Sequence, residues 1–158
     1  MVGAAIAIGF AQQGRSVVVV EGTQPKAFEP SQAMDIRVSA ISHQSVKLLE
    51  SLGAWASIQA MRVCPYRRLE TWEHPECRTR FHSDELSLEQ LGYIVENRLT
   101  QLGLWQAFDN HDNLTVECPE RLKTIEFGNV NRVTLESGKQ FEAQWVIGAD
   151  GANSKVRQ

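Results

Sequence analysis

Three stretches of this 158-residue chain combine residue types and settings suited to nucleotide chemistry. The first is Glu21, which closes the run Val17–Val20. In a βαβ dinucleotide-binding unit, the carboxylate at the end of the second strand accepts hydrogen bonds from the adenosine ribose hydroxyls. Gly3 stands 18 residues earlier, where the last glycine of a GxGxxG turn belongs. A strand that simply ends in water on a glutamate is the alternative at this point. The second stretch is IGADGANSKVR, residues 147–157. Here a strand runs into Asp150-Gly151, setting a carboxylate and a flexible backbone at the C-terminal edge of a parallel sheet, where open α/β folds bind ligands. Ser154 is placed to cap a following helix and Arg157 to meet phosphate. Asp-Gly alone is also an ordinary turn. The third stretch is DIRVSAIS, residues 35–42, in which Arg37 precedes a helix and is suited to pairing with a pyrophosphate. A solvent-facing arginine is the plainer reading of that residue.

The elements that must position these groups follow from periodicity. Residues 2–13 read as a helix whose Gly3, Ala7 and Ala11 form a small-residue face for close packing on a sheet, with Gly14 as its C-cap. The β-branched run Val17–Val20 predicts a strand buried on both faces of a parallel sheet. Residues 22–35, with Gly22, Pro25 and Pro30, predict a loop. Ser42 is a candidate cap for a second helix with Val46, Leu49 and Leu52 on its apolar face. Strands are expected over 66–73 and 78–82 around Pro75. The spacing of Leu91, Val95, Leu99 and Leu102 predicts a third helix over 88–108, which Gly103 weakens. Strands 114–118, 122–127 and 132–135 follow, the last two joined at Gly128-Asn129. After a Ser137-Gly138 turn, 141–148 predicts the final strand. The sum is an α/β fold, a parallel start with an antiparallel excursion.

Bulk properties narrow the function classes. The chain is 42% hydrophobic and 22% charged with net charge −3, the profile of one ordinary soluble domain rather than a nucleic-acid binder. No apolar run approaches the ~18 residues of a membrane span, and the N-terminus lacks a secretory signal's pattern. Cys64, Cys77 and Cys118 are odd in number and widely spaced, which predicts reduced thiols in a cytoplasmic protein rather than zinc or disulfides. Residues 62–81 interleave five arginines with Tyr66, Trp72 and Phe81, a pattern that can bind single strands. Glu70, Glu73 and Glu76 offset most of that charge, and strand alternation explains the aromatics as packing.

Taken together, the helix–strand–Glu start, IRVSAIS, QAMRVCPYRRLETWE, YIVENRLTQLGLW and WVIGADGANSKVR resemble the class A flavoprotein aromatic hydroxylases, the para-hydroxybenzoate hydroxylase-like family. Within it the chain is similar to the ring hydroxylases of ubiquinone biosynthesis, and QAMRVCPYRRLETWE points to those acting on a demethoxy-quinol. The resemblance covers the whole chain but only the N-terminal part of such an enzyme. It implies an FAD-binding Rossmann-like (GR2-type) fold: residues 1–61 and 88–158 form the FAD-binding part and 62–87 begin a substrate-domain sheet. Gly3 would lie by the FAD pyrophosphate and Glu21 on the adenosine ribose. Arg37 and Arg98 would reach the phosphates or the flavin, while Asp150 and Gly151 would be shared between FAD and a reduced nicotinamide. The implied reaction uses NADH or NADPH, FAD and oxygen to hydroxylate a polyprenyl quinol. A biosynthetic complex at the membrane surface is the implied setting, with a cytoplasmic protein peripheral to the inner membrane. No catalytic acid or base is assigned.

Two further expectations concern completeness. In the family the chain begins with a strand and a glycine-rich turn, whose last positions Met1-Val2-Gly3 fits, and a second flavin motif follows the Asp-Gly stretch. The chain therefore reads as a fragment, inactive alone, whose missing strand would lie between those around Val19 and Val116. The competing readings are a nicotinamide-dependent dehydrogenase fragment on the same βαβ start, and a non-enzymatic remnant binding partners through an open sheet edge.

Overall fold

The computed structural model describes residues 1–157. In chain order the elements are α1 (Val2–Gln12), β1 (Val17–Val20), β2 (Val38–Ser42), α2 (His43–Ser51), α3 (Trp55–Met61), β3 (Cys64–Tyr66), β4 (Arg68–His74), β5 (Cys77–His82), β6 (Gly92–Glu96), α4 (Asn97–Ala107), β7 (Leu114–Glu117), β8 (Leu122–Glu126), β9 (Asn131–Leu135) and β10 (Gln140–Ala143). They divide into two compact units, one built from Met1–Lys26 and the chain from Phe108 onward, the other from Ala27–Ala107.

In the first unit α1 packs on a parallel pair, β1 with β7, in the register Val17↔Leu114 to Val20↔Glu117. The small-residue face of α1 does the packing: Ala7 and Ala11 are buried, and Gly14, just past the C-cap Gln13, takes the left-handed backbone (φ 76°) that ends the helix. β1 is not buried on both faces as its sequence suggested. Its residues alternate, leaving Val18 40% and Val20 37% exposed, because α1 packs on the sheet and, among the described residues, β1 is bonded to β7 along one edge. Val19 and Val116 are direct partners, so no strand lies between them; the open edge of β1 faces away from β7. The antiparallel sheet β10-β9-β8 turns at Gly128-Asn129 and at Gly138, as the turn chemistry predicts. The last strand stops at Ala143. Beyond it 145–149 run without a ladder partner among the described residues, because only Gln140–Ala143 are in register with β9.

The second unit holds a helical core against a three-stranded sheet, β2-β6-β3. Ser42 caps α2 by accepting the Ser45 N–H at 3.2 Å, and Val46, Leu49 and Leu52 are buried as the apolar face requires. Where the spacing predicted a single helix over 88–108, residues 92–96 are a strand and the helix begins only at Asn97. β6 is hydrogen-bonded on both edges, to β2 and β3, and this nonlocal pairing of Tyr93-Ile94-Val95 overrides the helical spacing of Leu91, Val95 and Leu99. The propensity cost of Gly103 in α4 is set against a packing need. A Cβ there would stand 2.4 Å from Ile58 Cγ1 and 3.2 Å from the Ala54 carbonyl oxygen, so glycine is what lets α4 close on α3. The hairpin β4–β5 carries the Arg68↔His82 to His74↔Cys77 register, with Tyr66 assigned to β3 rather than to this hairpin.

Candidate functional site

Within the first unit three of the expected groups gather at one end. α1 returns through Gln13–Ser16 into β1 and packs along it, so the start of the helix and the carboxyl end of β1 face the same way. At the helix start, Gly3 touches the 145–149 segment: a Cβ on Gly3 would lie 2.9 Å from the Ala149 Cβ. This contact sets Gly3 beside Asp150-Gly151. No side chain caps α1 and no acidic residue sits in its first turn, which leaves its first amides open to an anion.

Glu21 follows the last residue of β1 and is half-buried. Its backbone is bonded on both sides, its N–H to the Glu117 carbonyl at 3.0 Å and its carbonyl to the Glu120 N–H at 2.9 Å. One carboxylate oxygen accepts the Thr23 N–H at 3.1 Å, which orients the group and leaves the second oxygen as an acceptor. Cys118 lies close enough that burial first, and the Glu21 charge second, push its thiol above the usual range.

Asp150 opens a self-bonded turn rather than a helix. Its carboxylate accepts the Lys155 N–H at 2.7 Å, Ser154 is buried and accepts the Arg157 N–H at 3.2 Å, and Gly151 supplies φ 83°. Ser154 thus caps a turn where a helix was expected, and Arg157 is directed onto the Ala152 carbonyl at 2.7 Å. Lys155 ties the turn to β8 through the Leu122 carbonyl at 3.1 Å. The Ser154 hydroxyl, and then the Lys155 amide, hold the Asp150 carboxyl below the ordinary carboxylate range. A folded-state value below the unfolded one means that this carboxylate stabilises the turn fully above about pH 4 and ceases to do so as pH falls through the lower folded value. Asp150→Asn is therefore expected to separate from the wild type in urea midpoint between about pH 5 and 7, with the gap closing below about pH 4.

The second unit carries the two arginines. Arg37 precedes β2 and is exposed, and its guanidinium makes no ion pair among the described residues. Its N–H donates to Asp35 Oδ1 at 3.0 Å and its carbonyl accepts the Asn97 N–H at 2.9 Å, which pins it to the junction of β6 and α4. Arg98, one residue into that helix, is half-buried and donates to the Ala27 carbonyl at 3.4 Å. Arg37 and Arg98 thus belong to one junction, as Gly3, Asp150 and Gly151 belong to another.

Two residues at the arginine junction escaped the sequence reading. Glu96, 2% exposed, pairs with Arg62 across 2.9 Å and accepts the Asp35 N–H at 2.8 Å. The available signal was a carboxylate set between buried Val95 and Leu99, since a charge in an apolar run requires a partner.

The first unit offers an uncapped helix start, a close glycine contact and an oriented carboxylate at a strand end; the second offers a guanidinium without an ion pair. These are the kinds of donor and acceptor that a dinucleotide diphosphate requires. Residues 1–158 match the family model described as FAD binding domain, and the chain belongs to this family of class A flavoprotein hydroxylases. It is 46% identical over 159 residues to 3-demethoxyubiquinol 3-hydroxylase of Escherichia coli (strain K12), an alignment covering 100% of this chain and 41% of that protein. It is 32% identical over 176 residues to the human mitochondrial ubiquinone biosynthesis monooxygenase COQ6, covering 100% of this chain and 37% of that one. The chain thus spans about two fifths of the length of these relatives. Among solved structures, p-nitrophenol 4-monooxygenase PnpA from Pseudomonas putida DLL-E4 superposes with TM-score 0.73 at 18% identity, over 99% of this chain and 40% of that one. PqsL, a probable FAD-dependent monooxygenase from Pseudomonas aeruginosa, gives TM-score 0.68 at 22% identity, over 98% and 41%. These two likenesses show the fold, a mixed α/β architecture with parallel and antiparallel sheets. No helix among the described residues is long and apolar enough to cross a membrane.

Proposed function

We propose that this chain forms the FAD-holding portion of a monooxygenase that hydroxylates the ring of a demethoxyubiquinol-type polyprenyl quinol, using NADH or NADPH and oxygen. The observation that carries the reading is the 46% identity with the Escherichia coli hydroxylase along the entire chain. The local geometry agrees with it. In this reading the arrangement is Rossmann-like, with 1–61 and 88–158 on the FAD side and 62–87 beginning the substrate-side sheet.

Each site residue has a task that its setting supports. Glu21, oriented by the Thr23 amide, would accept the ribose hydroxyls with its second oxygen. In the first unit the open amides of α1, reached closely because Gly3 has no side chain, are suited to a phosphate group, and in the second unit Arg37 is suited to one as well. Arg98 would act at the phosphates or beside the flavin. Asp150 and Gly151, fixed by the turn through Ser154 and Lys155, would border both FAD and the nicotinamide. Bound FAD would supply electron transfer and oxygen activation, while the protein positions the reactants and keeps the site dry. The substrate's prenyl tail is the reason to expect work at a membrane surface within a biosynthetic complex.

The reading is tested by joining this chain to those parts of the Escherichia coli relative that lie outside the aligned 41% of its length. The hybrid is expected to retain FAD, to oxidise NADH or NADPH, and to return a demethoxyubiquinol analogue heavier by one oxygen atom. Reductant oxidation without hydroxylated quinol would overturn the substrate class, and a hybrid isolated free of flavin would overturn the FAD assignment.

A further inference from the structure

The loop 27–37 has no secondary structure of its own, yet it is fastened at several points by residues distant in sequence. Glu96 Oε2 accepts the Asp35 N–H at 2.8 Å, and the Asn97 N–H donates to the Arg37 carbonyl at 2.9 Å. Arg62, at the end of α3, donates to the Gln32 carbonyl at 3.3 Å and sits 5.5 Å from the centre of the Phe28 ring. The two fasteners are joined to each other, Arg62 Nε lying 2.9 Å from Glu96 Oε1. Glu96 is 2% exposed, and a buried carboxylate is retained only at a cost that pairing and hydrogen bonding must offset. Its remaining oxygen is spent on the backbone two residues before Arg37. Asp35 then passes the constraint on, because its own carboxylate accepts the Arg37 N–H at 3.0 Å. At the end of this chain of contacts stands a guanidinium that is exposed and without an ion pair among the described residues.

We propose that Glu96 is a positioning residue: its buried carboxylate, balanced by Arg62, fixes the turn Asp35–Arg37 and so presents the Arg37 guanidinium to a diphosphate anion. Preorganisation of this kind matters because a free arginine loses its rotamer freedom when it clamps an anion, and a fixed backbone reduces how much must be ordered on binding. The inference rests on the reading of Arg37 as a phosphate contact. It adds to that reading a residue that touches no ligand and a dependence on a hydrogen-bond acceptor buried one layer below.

The test uses the 158-residue chain, with inorganic pyrophosphate as the probe, followed by NMR. Asp35 and Arg37 amide exchange reports the turn, and the Arg37 side-chain signal reports the anion. Glu96→Ala is expected to raise exchange at both amides at least about tenfold and to weaken pyrophosphate binding about tenfold, the loss that follows from one charge-assisted contact. Glu96→Gln, which keeps an acceptor for the Asp35 N–H, should recover most of both. Asp35→Ala cuts the last link at a half-buried position without leaving a buried charge unpaired, so it replaces Glu96→Ala should that variant fail to fold. Arg37→Ala alone should weaken binding by a similar factor. Combining it with Asp35→Ala should cost nothing further, whereas general destabilisation would add to the loss. Pyrophosphate binding that survives loosening of the turn overturns the positioning role alone. A wild-type chain whose Arg37 signal does not respond to pyrophosphate overturns the phosphate reading beneath it.

Discussion

Gly92→Ala is expected to lower the stability of the 27–107 unit by about 3 kcal/mol, at the upper end of what overpacking costs. Gly92 begins β6 and is paired with Ser42 of β2 on one edge and Tyr66 of β3 on the other. A Cβ at this position would stand 2.1 Å from the Ile41 carbonyl oxygen and 3.1 Å from Tyr66 Cε1. The first of these is backbone in a paired strand, so it cannot rotate aside; the sheet itself must shift. β6 leads directly into Glu96, Asn97 and Arg98, so displacement of its first residue reaches the arginine junction. Gly9 provides the control. It lies within α1, where an added Cβ would meet nothing within 4 Å, so Gly9→Ala should stabilise by about 0.5–1 kcal/mol through helix propensity. Urea midpoints of the two variants should therefore move in opposite directions. An unmoved midpoint for Gly92→Ala would show that the β2–β6 contact yields to a methyl group.

Arg62→Met should cost about 3 kcal/mol, because it leaves the Glu96 carboxylate buried without a counter-charge. The arginine also holds the Gln32 carbonyl and faces Phe28, so the 27–37 loop should loosen at the same time. Removing both charges distinguishes the sources of this loss. Arg62→Met with Glu96→Leu deletes the unpaired charge and should regain most of the stability, since buried pairs are often neutral against apolar replacements. It should not restore the Asp35 amide to protection, because the acceptor is gone. Stability and loop order would then part company in one double variant. Denaturation midpoints and amide exchange of the same samples measure both.

Much of the fold was legible where the signal is local. Ser42 caps its helix through a bond three residues ahead, Gly128-Asn129 turns a hairpin between adjacent strands, and Gly14 ends α1 with a backbone only glycine adopts freely. Errors arose where pairing is nonlocal. Leu91, Val95 and Leu99 fall at helical spacing, but the partners of Tyr93-Ile94-Val95 are Ser39–Ile41 and Cys64-Pro65, which no window around residue 93 contains. The converse holds at the last strand: 145–149 has strand-like residues, but a strand needs a ladder partner as well as β propensity. At the candidate site, Glu21 and Asp150 are singled out by their positions after apolar runs. The Arg62–Glu96 pair does not, because its members are brought together only by the packing of α3 against the β6–α4 junction.

The central claim is that residues of this chain hold FAD, and quenching of flavin fluorescence tests it most directly. β1 is bonded on one edge only, and 145–149 has no ladder partner among the described residues. A version extended at its N-terminus by a strand and a GxGxxG turn should thus bind better than the 158-residue chain by at least about tenfold. In the extended version Glu21→Gln should weaken FAD about tenfold, as loss of one charged acceptor to the ribose demands. Saturable quenching with those two differences is the expected result. No quenching by the extended chain, or equal affinity with and without the Glu21 carboxylate, would contradict the claim.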